Sequence, residues 1–304
     1  MAAINEVIDL KADGNIAVIS VNSPPVNALS QNVREGLQEA LNKALADPKA
    51  EAIVVRCDGR TFIAGADIRE MGRPRKPPGL KDFQALMDNA KKPIVAAVHG
   101  TALGGGLEFA MMCHYRVAVP SARCGLPEVN IGILPGGGGT QALPRIVGAE
   151  KALEMMTTGR HVPAKEAHAL GIFDELAPEG KLEEAAIAYA KKLVAEKKPI
   201  KRVRDLTDKI EAARKTPDLV ANFKKANARK LRNMNAPQNI IKCVEAAISL
   251  PFDEGLKRET ELSQELHSGP QAPAMRHSFF AEREAAKIPD VPDDTPVILS
   301  LIHI

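Results

Sequence analysis

The 304-residue sequence contains no tryptophan, and aromatic residues make up only 3% of it. A site that grips bases or sugars by stacking them on aromatic rings is therefore not expected. Lys and Arg number 41 against 38 Asp and Glu, a net charge of +3. That near-balance excludes a nucleic-acid surface but leaves room for a few local basic side chains on a small anion. The four cysteines, Cys57, Cys113, Cys124 and Cys243, form no C-x-x-C pair. A zinc site or a redox motif is not implied, and the thiols read as reduced and buried. No run approaches the roughly 20 apolar residues of a membrane span. The first ten residues carry Glu6 and Asp9 and resemble neither a signal nor a transit peptide. The last residues are not an S-K-L address. These absences together predict a cytoplasmic location, with a peroxisome as the alternative. A Walker-type Gly-Lys-Ser/Thr and a G-x-S-x-G elbow are also missing. Gly137, Gly139 and Ala142 fit G-x-G-x-x-A, but Pro135 stands where a strand should end. Dinucleotide binding is not expected there.

What is present is a large apolar fraction, 45%, enough for one big core. Residues 16–21 (I-A-V-I-S-V), 52–55 (A-I-V-V), 93–99 (P-I-V-A-A-V-H) and 115–119 (Y-R-V-A-V) read as strands. Their apolar runs are continuous rather than alternating, as expected of strands covered on both faces. Between the first two, Ser30 is a plausible N-cap, and Val33, Leu37, Leu41 and Leu45 recur at helical spacing. Residues 107–112 also read as helical. Strands alternating with helices predict a parallel or mixed α/β architecture. Beyond about Ala149 the strand signal fades. Residues 181–196, 200–214 and 223–232 look helical with mixed charge, which predicts solvated faces rather than an anion site. From Ala285 the chain turns rich in Pro and Asp, as linkers do.

Three segments could carry chemistry. Phe62-Ile63-Ala64-Gly65-Ala66-Asp67-Ile68 follows a strand and is built of small residues, which suit either a tight turn or the close approach of a ligand. In 99–108 (H-G-T-A-L-G-G-G-L-E) a strand runs into three glycines and then a helix. The first turn of a helix offers unpaired N–H groups and a positive partial charge. Glu108 falls in that turn, either as a dipole partner or as a working acid. The third segment, 126–139, is apolar and glycine-rich and contains Glu128, the one acidic residue between Glu108 and Glu150. A carboxylate in such surroundings must be paired, hydrated or protonated. A second carboxyl nearby would raise one of the two pKa values and suit it to acid work.

F-I-A-G-A-D-I, A-L-G-G-G-L-E and L-P-E-V-N-I-G-I-L-P-G-G-G-G-T-Q occur here in an order and spacing that resemble the enoyl-CoA hydratase/isomerase (crotonase) superfamily. The resemblance implies an α/β fold, a crotonase-type spiral of ββα units, followed here by a helical extension. It places oxyanion-hole N–H groups at Ala66 and Gly105. It sets the Ala64 backbone against the adenine ring, and the Gly136 backbone along the water and acyl pocket. Arg60 and Arg69 stand where some members hold CoA phosphates. Glu108 and Glu128 match the paired carboxylates of true hydratases, Glu108 mainly for water activation and Glu128 mainly for proton transfer at C2. The implied activity is hydration of trans-2-enoyl-CoA in fatty-acid β-oxidation, with Δ3-Δ2-enoyl isomerisation as a second activity. A non-catalytic acyl-CoA-binding module is the alternative. No metal is implied, because backbone donors act as the electrophile.

The loop 72–79, the segment Pro251-Phe252-Asp253-Glu254-Gly255-Leu256-Lys257-Arg258-Glu259 and the segment Ser278-Phe279-Phe280-Ala281-Glu282-Arg283 resemble multifunctional β-oxidation enzymes, hydratase and 3-hydroxyacyl-CoA dehydrogenase in one chain. The expected organisation is a hydratase/isomerase domain over 1–195, a helical linker over 196–284, and at 285–304 a Pro/Asp-rich linker with the truncated start of a dehydrogenase. No G-x-G-x-x-G follows, so NAD is not expected as a cofactor of this chain. The acyl-CoA substrate is the expected partner, with the chain a monomer or a crotonase-type trimer.

Overall fold

The computed structural model describes residues 2–67, 70 and 76–285. Arg69, residues 72–75 of the 72–79 loop and the 286–304 segment lie outside the described residues.

A seven-stranded sheet forms the centre. Its spatial order is β1 (Ala2–Ala3), β2 (Ile8–Asp13), β3 (Ile16–Val21), β4 (Ala52–Cys57), β5 (Ile94–Val98), β7 (Tyr115–Ala118) and β10 (Glu175–Leu176). The β1–β2–β3 ladder is antiparallel, and from β3 to β10 every pairing is parallel. The four strands expected from continuous apolar runs are all present. The register explains those runs: Ile16 and Val18 of β3 enter one buried cluster, while Ala17, Ile19 and Val21 enter another. Side chains alternate across a strand, so a strand buried on both faces must be apolar throughout. The smaller cluster is closed by helix α7 (Leu182–Ala195) through Ala186, Ile187, Ala190 and Leu193.

The other cluster lies under the remaining helices, among them α1 (Gln31–Ala46), α2 (Leu80–Asp88) and α3 (Gly105–Met112). A second sheet of three short strands, β6 (Thr101–Leu103), β8 (Arg123–Gly125) and β9 (Val162–Pro163), sits beside the first. Two successive turns of the spiral give a strand to the large sheet, a strand to the small one and then a helix or 3₁₀ turn. β5–β6–α3 is one unit. β7–β8 and the 3₁₀ turn Pro127–Ile131 are the next. This is the expected α/β spiral of ββα units.

Beyond the sheet come α4 (Gly139–Val147), α5 (Ala149–Thr158), α6 (Ala164–Ala169), α8 (Asp208–Arg214), α9 (Leu219–Leu231), α10 (Asn235–Ser249), α11 (Phe252–Ser268) and α12 (Gln271–Ala285). The mixed-charge helices are solvated on one face only. Ala213, Leu231, Ile240, Ile241, Val244, Phe252, Leu262 and Leu266 join the same core cluster as the β-strands. Residues 200–214 do not form one helix. A 3₁₀ turn at Val203–Asp205 precedes α8.

Candidate active site

The site is built where the ends of β4, β6 and β8 meet the helix starts. Peptide geometry fixes the first donor. Leu29 N–H donates to Gly65 O at 2.9 Å, and Leu29 bridges Ala66 as an isolated parallel pair. In a trans peptide, C=O and N–H point in opposite directions. With Gly65 O turned toward Leu29, the Ala66 N–H is turned away from it. Gly105 lies alongside. A Cβ placed on Gly105 would stand 3.4 Å from Ala66 N. Gly105 is the first residue of α3, so its N–H has no partner within the helix. Two backbone donors, one of them at a helix start, are thus side by side.

The glycines around them are required by space. Gly104 has φ +51°, and a Cβ there would lie 2.9 Å from Glu128 Oε1. A Cβ on Gly106 would run into the Ile63 carbonyl, coming within 2.7 Å of its carbon. A Cβ on Gly137 would meet Glu108 Oε2 at 2.8 Å and overlap the Leu80 side chain. Leu80, at the start of α2, therefore closes over both Gly105 and Gly137.

Glu108 sits in the first turn of α3 and is buried, 3% exposed. Its Oε1 accepts N–H bonds from Gly137 at 2.8 Å and Gly139 at 2.9 Å. Glu128 projects from the 3₁₀ turn Pro127–Ile131 toward Gly104. Its Oε2 is buried without a hydrogen-bond partner among the described residues. Burial raises its pKa well above the usual carboxylate range, and the Glu108 charge adds to the rise. The two carboxyls therefore differ in kind. Glu108 is anchored by two N–H donors, whereas Glu128 holds its proton firmly and has an oxygen to spare. Such a split suits one group to base work and the other to acid work.

The other expected positions separate. Ala64 is half-buried, its N–H donated to Val26 O at 3.2 Å. Gly136 is exposed at the edge of the glycine run and faces Ser263 of α11, whose Oγ would be 3.0 Å from a Cβ there. Arg60 is exposed beyond the end of β4. Among the described residues no cluster of His, Cys, Asp and Glu is placed to hold a metal ion, and no helix is long and apolar enough to cross a membrane.

Sequence reasoning missed one buried acid. Glu259 of α11 is fully buried and accepts Gly138 N–H at 2.9 Å, Thr140 N–H at 3.2 Å and the Thr140 hydroxyl at 2.6 Å. The signal was available: Phe252, Gly255, Glu259, Leu262 and Leu266 form the buried stripe of α11, and Glu259 is the acid on it. Burial, helped by the Glu108 charge, pushes its pKa up to about 8. A raised carboxyl pKa makes the folded state hold a proton that the unfolded chain releases near its ordinary value of 4.5. Stability from this group is then complete below pH 4.5 and is lost as pH rises through 8. The expected decline is up to about 1.4 kcal/mol per pH unit within that window. Urea unfolding of the wild type and Glu259→Gln across the window checks it. The variant should show the shallower dependence.

A family model described as enoyl-CoA hydratase/isomerase matches residues 11–248, and the chain belongs to that family. Among its curated relatives is the peroxisomal bifunctional enzyme of Danio rerio. It is 44% identical over 276 residues, which cover 90% of this chain and 38% of the relative. The peroxisomal fatty acid beta-oxidation multifunctional protein MFP2 of Arabidopsis thaliana is 36% identical over 297 residues, covering 94% of this chain and 41% of its own. The chain thus spans about two fifths of the length of these relatives. Among solved structures, a carnitinyl-CoA hydratase from Mycobacterium avium superposes with a TM-score of 0.67 at 26% identity, over 91% of this chain and 97% of that one. An enoyl-CoA hydratase from Bacillus anthracis does so with 0.58 at 26% identity, over 91% and 97%.

Proposed function

We propose that this chain hydrates trans-2-enoyl-CoA thioesters to 3-hydroxyacyl-CoA in fatty-acid β-oxidation, as the hydratase part of a multifunctional enzyme. The observation that carries the reading is the pair of unlike carboxyls, Glu108 and Glu128, flanking Gly104 and Gly105 beside the Ala66 N–H. Water adding across C2=C3 of a conjugated thioester builds negative charge on the thioester oxygen. The proposal gives that charge to the neighbouring Ala66 and Gly105 N–H groups, the task of an oxyanion hole. Glu108, held by Gly137 and Gly139, takes a proton from water as its oxygen adds at C3. Glu128 delivers a proton to C2. The backbone polarises the carbonyl, so the proposed chemistry calls for no metal and no NAD. The adenine edge is assigned to the Ala64 backbone, the acyl side to Gly136, and the CoA phosphates to Arg60 and Arg69.

The unpaired Glu128 oxygen also suits a one-carboxyl proton shuttle between C2 and C4, and Δ3-Δ2-enoyl isomerisation is proposed as a second activity of the same site. The names of the relatives favour the peroxisomal alternative over the cytoplasm. The test is a steady-state assay with crotonyl-CoA, then 2-enoyl-CoA and 3-enoyl-CoA of increasing chain length. Turnover of the 2-enoyl series is expected. Calorimetric binding without turnover would leave a non-catalytic acyl-CoA-binding module instead.

A further inference from the structure

The four consecutive residues Gly137 to Thr140, at the start of α4, all donate their backbone N–H groups to carboxylates, and the two carboxylates take turns. Gly137 and Gly139 donate to Glu108 from one side. Gly138 and Thr140 donate to Glu259 from the other. Gly138 lies at φ +102°, a left-handed conformation that favours glycine, and this bend lets successive N–H groups face opposite ways. Glu259 is itself held fast. Thr140 Oγ donates to its Oε2 at 2.6 Å while accepting from Gln141 Nε2 at 3.0 Å, and Gln141 Nε2 is also bonded to Cys243 O at 3.0 Å. One turn before Glu259, a Cβ on Gly255 would overlap Gln141, so α11 lies directly on α4.

From this geometry we infer that Glu259 is a positioning residue for the proposed hydration: it clamps residues 137–140 so that two of their N–H groups hold Glu108 in place. The inference rests on the hydratase reading of the site. A neutral or apolar side chain would make α11 pack on α4 with far less desolvation cost, since burying a carboxyl is expensive. The carboxyl supplies what those would not, one oxygen against Gly138 and a second against Thr140 at the same time. The helical extension thereby becomes part of the catalytic apparatus, not merely a cover. The titratable groups that share Glu259's surroundings are Glu108 on α3, Glu128 on the 3₁₀ turn and Cys243 on α10, the last pushed up to about 12 by burial and so a neutral thiol.

The test compares wild type, Glu259→Gln and Thr140→Val. Turnover of crotonyl-CoA, its pH dependence and amide hydrogen exchange over residues 137–140 are measured for each. A small misplacement of a catalytic group typically costs up to about 100-fold, so Glu259→Gln is expected to lower kcat about 10–100-fold with KM nearly unchanged. The inflection that Glu259 contributes near pH 8 should disappear from its profile. Exchange at Gly137 and Gly139, which Glu259 does not itself touch, should accelerate. Thr140→Val, which removes the hydroxyl between Glu259 and Gln141 but keeps the Thr140 N–H, should move kcat and exchange in the same direction by less. Wild-type kcat and an unchanged pH profile in Glu259→Gln, with stability alone reduced, would overturn the inference and leave an ordinary helix contact. Should the wild type bind but not hydrate enoyl-CoA, the parent reading fails, and exchange alone decides: faster exchange at Gly137 and Gly139 in the variants upholds the clamp, and unchanged protection removes it.

Discussion

Glu128→Gln is expected to lower hydration of crotonyl-CoA by about 10²–10⁴-fold while leaving the fold intact, because general acid–base catalysis of this kind is worth about that much. Glutamine keeps the shape and volume of the side chain beside Gly104 but cannot carry the proton. Like the protonated Glu128 it is uncharged, so unfolding in urea should show stability close to that of the wild type. Glu108→Gln should cost as much. Its amide oxygen can still accept from Gly137 and Gly139, so any loss of rate reflects the missing base and not a collapsed loop. Groups that act as a unit are not additive, and the double variant should fall little below the weaker single one. Undiminished hydration in Glu108→Gln would sink the two-carboxyl mechanism, and isomerase turnover surviving in that variant alone would assign isomerisation to Glu128.

Gly106→Ala is expected to be the most damaging one-carbon change in the site. The added methyl would overlap the Ile63 carbonyl and come within 2.9 Å of Ile63 Cβ. Neither is the end of a flexible side chain. Ile63 O also accepts the Leu103 N–H at 3.2 Å, which ties β6 to the segment carrying Ala66. The helix and that segment must move apart, and overpacking of this sort costs up to about 3 kcal/mol. The same movement separates Ala66 from Gly105. Losing one oxyanion donor lowers rates by about 10²–10³-fold. Thermal unfolding and kcat measured on the same preparation check both halves. A variant of wild-type stability that turns over normally would show that α3 and the 63–66 segment are not locked as the structure has them.

The parts of this fold that were legible in the sequence are those where one physical demand dominates. β3, β4, β5 and β7 are buried on both faces, and their uninterrupted apolar runs announce it. β2 is not legible in that way. It pairs antiparallel between the short β1 and β3, buries Ile8 and exposes Asp9 and Asp13, and so looks like loop. β9 and β10 are two residues each, too short to leave any periodic signal. In the candidate site, Glu108 and Glu128 stood out by their apolar, glycine-rich surroundings, Ala66 and Gly105 came from the resemblance, and the structure brings these four positions together. The cover from Leu80 and the contact from Glu259 arise from tertiary packing between distant segments. α11 was noticed for its resemblance and not for the acid on its apolar stripe, where the charge itself was the informative departure.

The alternating clamp on residues 137–140 also imposes an order on synthesis. Gly138 and its acceptor Glu259 lie 121 residues apart. At roughly 5–20 residues per second, a growing chain exposes the glycine run about 6–24 s before the side chain that completes it leaves the ribosome. For that interval the sheet, α3 and Glu108 can be in place while half the donors at the start of α4 face water. A nascent chain therefore possesses the glycine donors, Glu108 and Glu128 well before it possesses Glu259, and under the proposed clamp the site is complete only once α11 has been made.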